Sequence, residues 1–280
     1  MLRLAPHVLE LDWADVESRI KHFIKNYVEK AEADGIVLGL SGGIDSSTVA
    51  ALSALAIGGN KVLGLIMPEK ETYNQEDIED AKNVAEKYGI KTKIIDITAI
   101  IETIQKTIPE FDPNEKISKG NIKARTRMIC LYYYANKHNL IVCGSSDKSE
   151  AMMGYFTKWG DVAADIAPIM DLYKTQVRKL AQYVGLPQRV INKPATPALW
   201  PGQKAEDELG LKYETLDLIL YGLEHFMEID EIANQLGIDK AVVQKVSSRL
   251  ERMEHKRRMP ITIKLQYRTI GMDFKLPQSI

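Results

Sequence analysis

Residues 41–47 read Ser-Gly-Gly-Ile-Asp-Ser-Ser, a glycine-rich turn with a carboxylate inside it. Such a turn supports polyphosphate binding. Gly42 and Gly43 let the backbone bend sharply and aim its N–H groups at one point, where a helix start adds partial positive charge. Asp45 needs its own explanation. An acid at a helix start gains under about 1 kcal/mol from the dipole, but beside phosphates it repels the ligand unless a cation lies between. Asp45 therefore reads as a Mg2+ ligand. Ser46 either caps the helix or turns its hydroxyl to phosphate. No Gly-Lys-Ser/Thr follows, so the turn is not a Walker A loop.

The elements around the turn give it a place. Residues 35–40 form an apolar run suited to a buried parallel strand, and residues 46–56 have helical spacing. Further strands are expected at 61–67, 91–96 and 140–144. Helices are expected at 13–33, 75–88, about 100–107 and about 119–137. Strands separated by helices this long need crossover connections. The fold class is therefore α/β, a parallel sheet with helices on both faces and additional helices at the C-terminal end. Ligands bind beyond the carboxyl ends of such strands, which puts the turn at Ser41 and the turn Gly144-Ser-Ser-Asp-Lys-Ser-Glu150 on one rim. Glu150 reads either as a second acid at that rim or as an ordinary acidic helix start.

Beyond Gly185 the chain changes character. Pro187, Pro194, Pro197 and Pro201 break up the next stretch, and residues 198–210 read as a polar lid loop. Helices near 213–223, 229–236 and 240–254 follow. The 280 residues are read as one domain: helix 13–33, an α/β core over about 35–185, then the lid and final helices over about 186–260.

Composition excludes some classes. The 37 basic and 38 acidic side chains cancel, so no global field invites DNA or RNA. The first dozen residues turn acidic too early for a secretory signal, and no apolar stretch is long enough to cross a bilayer. Cys130 and Cys143 belong to no CxxC pair and read as buried free thiols. A cytoplasmic protein is expected. One rival reading remains: helices 229–236 and 240–254 flank Gly237-Ile-Asp239 and precede the basic run 251–258, imitating a helix-turn-helix.

Ser-Gly-Gly-x-Asp-Ser resembles the loop of the ATP pyrophosphatase superfamily. Further segments narrow the likeness: Lys119-Gly-Asn-Ile-Lys-Ala-Arg-Thr-Arg127, Gly154-Tyr-Phe-Thr-Lys-Trp-Gly-Asp161, Asp165-Ile-Ala-Pro168, residues 193–203, Asp207-Glu-Leu-Gly210 and the run 254–260. Together they resemble the NAD synthetase family in its short form, which lacks a glutaminase domain, over about Trp13 to Pro260. The resemblance implies adenylation of the nicotinate carboxylate of deamido-NAD by ATP, then displacement of AMP by ammonia. It implies Mg2+, a homodimer with the dinucleotide near the subunit interface, and no separate nitrogen-donor domain.

The matched motifs carry roles residue by residue. Gly39, Leu40, Ser41, Gly42, Gly43, Ile44, Asp45 and Ser46 would cradle ATP, joined by Ser145, Lys174 and Thr196. Asp45 and Glu150 would hold the metal. Arg125, Lys158, Asp161, His255 and Lys256 would bind deamido-NAD, with Asp161 also a candidate base toward ammonium. Tyr132 and Tyr155 could stack on a ring or pack in the core. The chain departs from its relatives at Val162 and Ala163, where many have two glycines. Some relatives also place an arginine near ATP in the second strand, where Ile66 stands here. Another ATP pyrophosphatase is the enzymatic rival, but a tRNA modifier would be expected to show a basic surface or a cysteine motif. A regulator that kept only nucleotide binding would not need Asp45, Glu150 and Lys174 together.

Overall fold

The computed structural model describes residues 3–270 and 273. A short 3-10 turn, Pro6–Leu9, leads to helix α1 (Trp13–Lys30), whose Asp12 cap accepts from the N–H groups of Ala14 and Asp15. Strand β1 (Gly35–Gly39) follows, then α2 (Ile44–Ile57), β2 (Val62–Ile66), α3 (Gln75–Lys87) and β3 (Lys91–Ile94). Helices α4 (Thr98–Thr107) and α5 (Lys116–His138) lead to β4 (Leu140–Val142) and α6 (Lys148–Met153).

The four strands are all parallel in the order β3-β2-β1-β4. Strand β1 is central, and Ile36, Val37 and Leu38 are buried on both faces. Ile36 and Leu38 join the core under α1, α2 and α3, whereas Val37 joins the cluster with Ile97, Ile101 and Ala135 of the α4–α5 side. This is the alternation a pleated strand imposes when both faces are covered. Edge strand β3 is exposed and carries Lys91 and Lys93, which discourages pairing with another edge. From β1 the chain moves outward to β2 and β3, then returns to β4 on the other side of β1. The carboxyl ends of β1 and β4 therefore flank a topological switch point.

The remaining chain is helical: α7 (Lys174–Tyr183), α8 (Gln188–Ile191), α9 (Ala205–Leu209), α10 (Tyr213–Glu224), α11 (Ile229–Leu236), α12 (Lys240–Arg252) and α13 (Glu254–Arg257). Helix α7 packs on α2 and contributes Val177 and Leu180 to the sheet's core. Helices α9 to α12 build a second core with Leu4 and Leu9, centred on Leu216, Ile219, Ile232 and Val243.

The strands and helices expected from periodicity are present, with shifted ends. Helix α2 starts at Ile44, before Ser46, because Gly43 is its N-cap. Strand β4 stops at Val142, and α6 begins at Lys148, so Glu150 stands in a helical turn. The lid stretch is anchored in part: Leu199 N–H donates to the buried Gln203 side chain, and Leu199 and Trp200 lie against Gly120 of α5.

The helix-turn-helix likeness at α11–α12 also has a packing explanation. These helices bury Ile232, Ala233, Val243 and Val246. Arg249 donates to the Met153 carbonyl, and Arg257 forks onto the carbonyls of Ala151, Met152 and Leu250. Arg249 and, within the basic run, Arg257 hold the chain to itself. No helix among the described residues is long and apolar enough to cross a membrane.

Candidate active site

The turn after β1 is held from both sides. Leu40 N–H donates to the Leu65 carbonyl, continuing the sheet. Ser46 Oγ accepts from Ser41 N–H, lies 2.9 Å from Ser41 Oγ and donates to the Gly43 carbonyl. It braces the turn from inside and does not cap the helix. Gly43 provides no side-chain cap, so among the described residues the first-turn N–H groups of α2 are left without a capping side chain and suit an anion.

Gly42 adopts φ +78°, and a Cβ there would come within 2.2 Å of the Asp77 carbonyl oxygen. Lys193 locks this packing, donating to the Gly42 carbonyl and pairing at 2.6 Å with both Asp77 and Asp80. Gly42→Ala is expected to cost about 2–4 kcal/mol through the left-handed backbone and the forced shift of α3. Urea denaturation would measure it.

Beside the turn, three acids converge. Asp45 comes from the first turn of α2, Asp147 is the N-cap of α6, and Glu150 lies three residues into it. Asp147 Oδ1 accepts from Glu150 N–H at 2.8 Å while Glu150 Oε2 faces Asp147 N–H at 3.4 Å. This capping box orients the Glu150 side chain. Lys174, the first residue of α7, puts its fully buried Nζ 2.7 Å from Asp45 Oδ2, 2.7 Å from Asp147 Oδ2 and 3.0 Å from Glu150 Oε1.

Burial works against the Lys174 charge, but Asp147, Asp45 and Glu150 outweigh it and hold the ammonium well above the usual lysine range. Burial pushes the Asp147 carboxyl up to about 6 and raises Glu150, each opposed by Lys174. One ammonium thus answers three carboxylates. Asp45 Oδ1 has no hydrogen-bond partner, and Asp147 Oδ2 touches Nζ off the hydrogen-bonding direction. One oxygen from each acid lies within 4.8 Å of the others. An all-oxygen donor set short of positive charge fits Mg2+.

A second layer fixes this cluster. Buried Asp217 of α10 accepts from Ser149 Oγ at 2.6 Å and from both N–H and Oγ1 of Thr175, at 2.9 and 2.7 Å. Ser149 Oγ in turn accepts from Lys174 N–H. Asp217 therefore ties the N-termini of α6 and α7 together. Asp217→Ala is expected to lose about 3–5 kcal/mol of folding stability, since it strands buried donors around an ion cluster. Asp217→Asn, compared in the same denaturation series, should lose less.

A cavity of about 680 Å³ opens over the turn, within the range of small-molecule sites. Its wall includes Gly39 to Ser41, Gly43 to Ser46, Ser145, Glu150, Thr196, Asp161 and Lys256. Gly42 lies at the back of the turn, and Lys174 sits beneath the acids. Arg125, Lys158 and His255 are outside the wall and form a chain: Arg125 donates to the Lys158 carbonyl at 3.2 Å, and Lys158 Nζ to the His255 carbonyl at 2.7 Å. Lys256 Nζ donates to the carbonyls of Gly154 and Phe156. Thr196 Oγ1 accepts from Ala198 N–H.

Asp161 lines the cavity at its solvent-exposed side. Desolvation raises its carboxyl pKa, opposed by the Thr157 N–H it accepts from at 2.8 Å. Tyr155 lines the cavity, whereas Tyr132 packs beside the α5 core and donates to Asp165. Ile66 is buried in the sheet. At that rim Arg127 of α5 lines the cavity and donates from Nε to the Met67 carbonyl at 3.3 Å.

Sequence reasoning passed over Asp147, Arg127, Lys193 and Asp217. The spacing Asp147-x-x-Glu150 could have flagged the first, because it is the signature of a reciprocal helix cap.

A family model described as NAD synthase matches residues 16–260. The chain belongs to that family. An NH3-dependent NAD+ synthetase of Methanocaldococcus jannaschii is 50% identical over 252 residues, covering 89% of this chain and 96% of that one. The solved NMN synthetase of Francisella tularensis superposes with a TM-score of 0.81 at 31% identity, covering 91% of this chain and all of that one. The NH3-dependent NAD synthetase of Campylobacter jejuni does so with a TM-score of 0.77, also at 31% identity, covering 91% of this chain and 100% of that one. Membership in the NAD synthase family makes the chain an ATP-dependent ligase of NAD biosynthesis.

Proposed function

We propose that the chain converts the carboxylate of deamido-NAD to the amide of NAD, using ATP and free ammonia and releasing AMP and pyrophosphate. The observation that carries this reading is the joining of an uncapped helix start to three acids and a buried ammonium at the switch point of the sheet. The names of the similar proteins, NH3-dependent NAD+ synthetases among them, support the choice of substrate and nitrogen donor.

A free carboxylate is a poor acyl donor because its leaving group would be oxide. Joining it to AMP supplies a better one, and phosphoryl chemistry then asks mainly for positioning and charge neutralisation. Residues Gly39 to Ser46 hold the ATP phosphates, with Ser145 and Thr196 as further ATP contacts and Lys174 acting from beneath through the acids it pairs with. Asp45 and Glu150 hold Mg2+, with Asp147 beside them. When bound, that ion would supply positive charge against the polyphosphate.

Arg125, Lys158, Asp161, His255 and Lys256 receive deamido-NAD. Asp161, whose carboxyl is raised above its ordinary value by desolvation, is the candidate base for the proton that ammonium must lose. The working unit is a homodimer, a reading supported by Ile117, Ile129 and Tyr133, which α5 leaves exposed. The free thiols Cys130 and Cys143 suit a reducing cytoplasm.

A second reading follows from the likeness to the NMN synthetase: the acid would be nicotinate mononucleotide. Initial rates with ATP, Mg2+ and ammonium decide between them. The proposal expects one AMP per NAD, a higher kcat/KM for deamido-NAD than for the mononucleotide, and no turnover with glutamine alone. A preference for the mononucleotide would transfer the assignment to the second reading.

A further inference from the structure

Arg127 is the cavity residue whose chemistry the family roles leave unused. Its Nε is fixed on the Met67 carbonyl just past β2. No hydrogen bond or ion pair to a described residue engages its terminal nitrogens. The nearby acids are already occupied: Glu69 pairs with Lys123 at 2.6 Å, and Asp161 accepts from Thr157 N–H. Burial pulls the guanidinium proton affinity below its usual value, against the charges of Glu69 and Asp161. A half-buried fork of five donors with one engaged, lining the cavity, is suited to an incoming oxyanion.

Its position says which one. Parallel strands lie about 4.8 Å apart, so a group anchored at Met67 stands one strand away from the Ser41 turn. The acids and Lys174 lie on the other side, over β1 and β4. In-line displacement at the α-phosphate puts the attacking oxygen opposite the leaving pyrophosphate. With the polyphosphate drawn toward the turn and the helix start behind it, the attacking group arrives from the β2 side. That group is a planar carboxylate, the shape an arginine fork grips with two parallel bonds.

We infer that Arg127 is a substrate-binding residue that grips the pyridine carboxylate and holds it for attack on ATP, making it the residue that tells the acid substrate from its amide product. The step itself balances without Arg127 changing state: a carboxylate oxygen bonds to the α-phosphorus as the bond to the pyrophosphate oxygen breaks. This inference rests on the proposed ligase reaction.

The test is calorimetric binding of deamido-NAD, NAD and ATP, each alone, to wild-type protein and to Arg127→Met and Arg127→Lys. Wild type should prefer deamido-NAD over NAD. Arg127→Met should weaken deamido-NAD by about 10- to 100-fold, the worth of a charged hydrogen-bond pair, while NAD and ATP change little. Arg127→Lys should recover part of the preference. Equal weakening of acid and amide, weakening of ATP with the preference intact, or no change would each overturn the inference. If Arg127→Met does not fold, the acid-to-amide ratio in Arg127→Lys decides on the same terms. If wild type prefers the mononucleotide, the comparison is run with nicotinate mononucleotide and its amide. A wild type that releases no AMP with either acid refutes the ligase reading itself, a result distinct from a lost preference in the variants.

Discussion

Replacing Lys174 with methionine should cost about 3–5 kcal/mol of folding stability in chelator, and Mg2+ should restore a large part of it. The residue puts a single buried ammonium within 3.0 Å of Asp45, Asp147 and Glu150. Methionine keeps most of the volume but leaves three carboxylates facing one another without a cation. Removing one member of a buried ion cluster typically costs this much, because the remaining charges stay desolvated and unanswered. A divalent ion that binds only the folded form then stabilises it by mass action. The variant should gain more from Mg2+ than wild type, whose ammonium competes for the same oxygens. Urea denaturation with EDTA and with Mg2+ measures both effects. Wild-type stability in EDTA, or a variant indifferent to Mg2+, would contradict the account.

Asp45→Asn should behave in the opposite way, losing chemistry and keeping the fold. Asparagine retains a carbonyl oxygen and nearly the same shape, and removes one of three crowded negative charges. Folding stability should therefore stay within about 1 kcal/mol of wild type. AMP release should fall about a thousandfold or more, equivalent to ~4 kcal/mol of barrier, the scale of losing charge stabilisation focused on one reacting group. Parallel measurement of AMP release and urea stability separates the two. Near wild-type turnover would remove Asp45 from the metal site.

Much of this was legible in the sequence because the signals are local. The Ser41–Ser47 turn, the apolar run at 35–39 and the long helix at 116–138 follow from glycine placement and periodicity. The sheet order does not. Nothing within β4 says that it pairs with β1 and not with β3; that depends on which faces the crossover helices cover. The acids at the site were half legible. Asp45 and Glu150 stand in recognisable motifs, but the spacing of Asp147 signals only a helix cap, and its place in the acid cluster shows when Lys174 meets it in space. Asp217 lies 43 positions from Lys174 in the numbering, inside a helix that reads as plain amphipathic packing. Its role is visible only through the bonds to Ser149 and Thr175. Ser46, open to reading as a helix cap or as a phosphate contact, braces the turn through Ser41 and Gly43, a detail its type does not reveal.

In the proposed reaction this rim splits ATP between its α- and β-phosphates with a carboxylate as nucleophile. The direct measurement is a single-turnover reaction of enzyme with ATP, Mg2+ and deamido-NAD in the absence of ammonium, with all phosphate products resolved. The account predicts a burst of pyrophosphate near one per active site, followed by NAD and AMP when ammonium is added. Release of ADP and inorganic phosphate, or pyrophosphate whose burst does not depend on deamido-NAD, would contradict it.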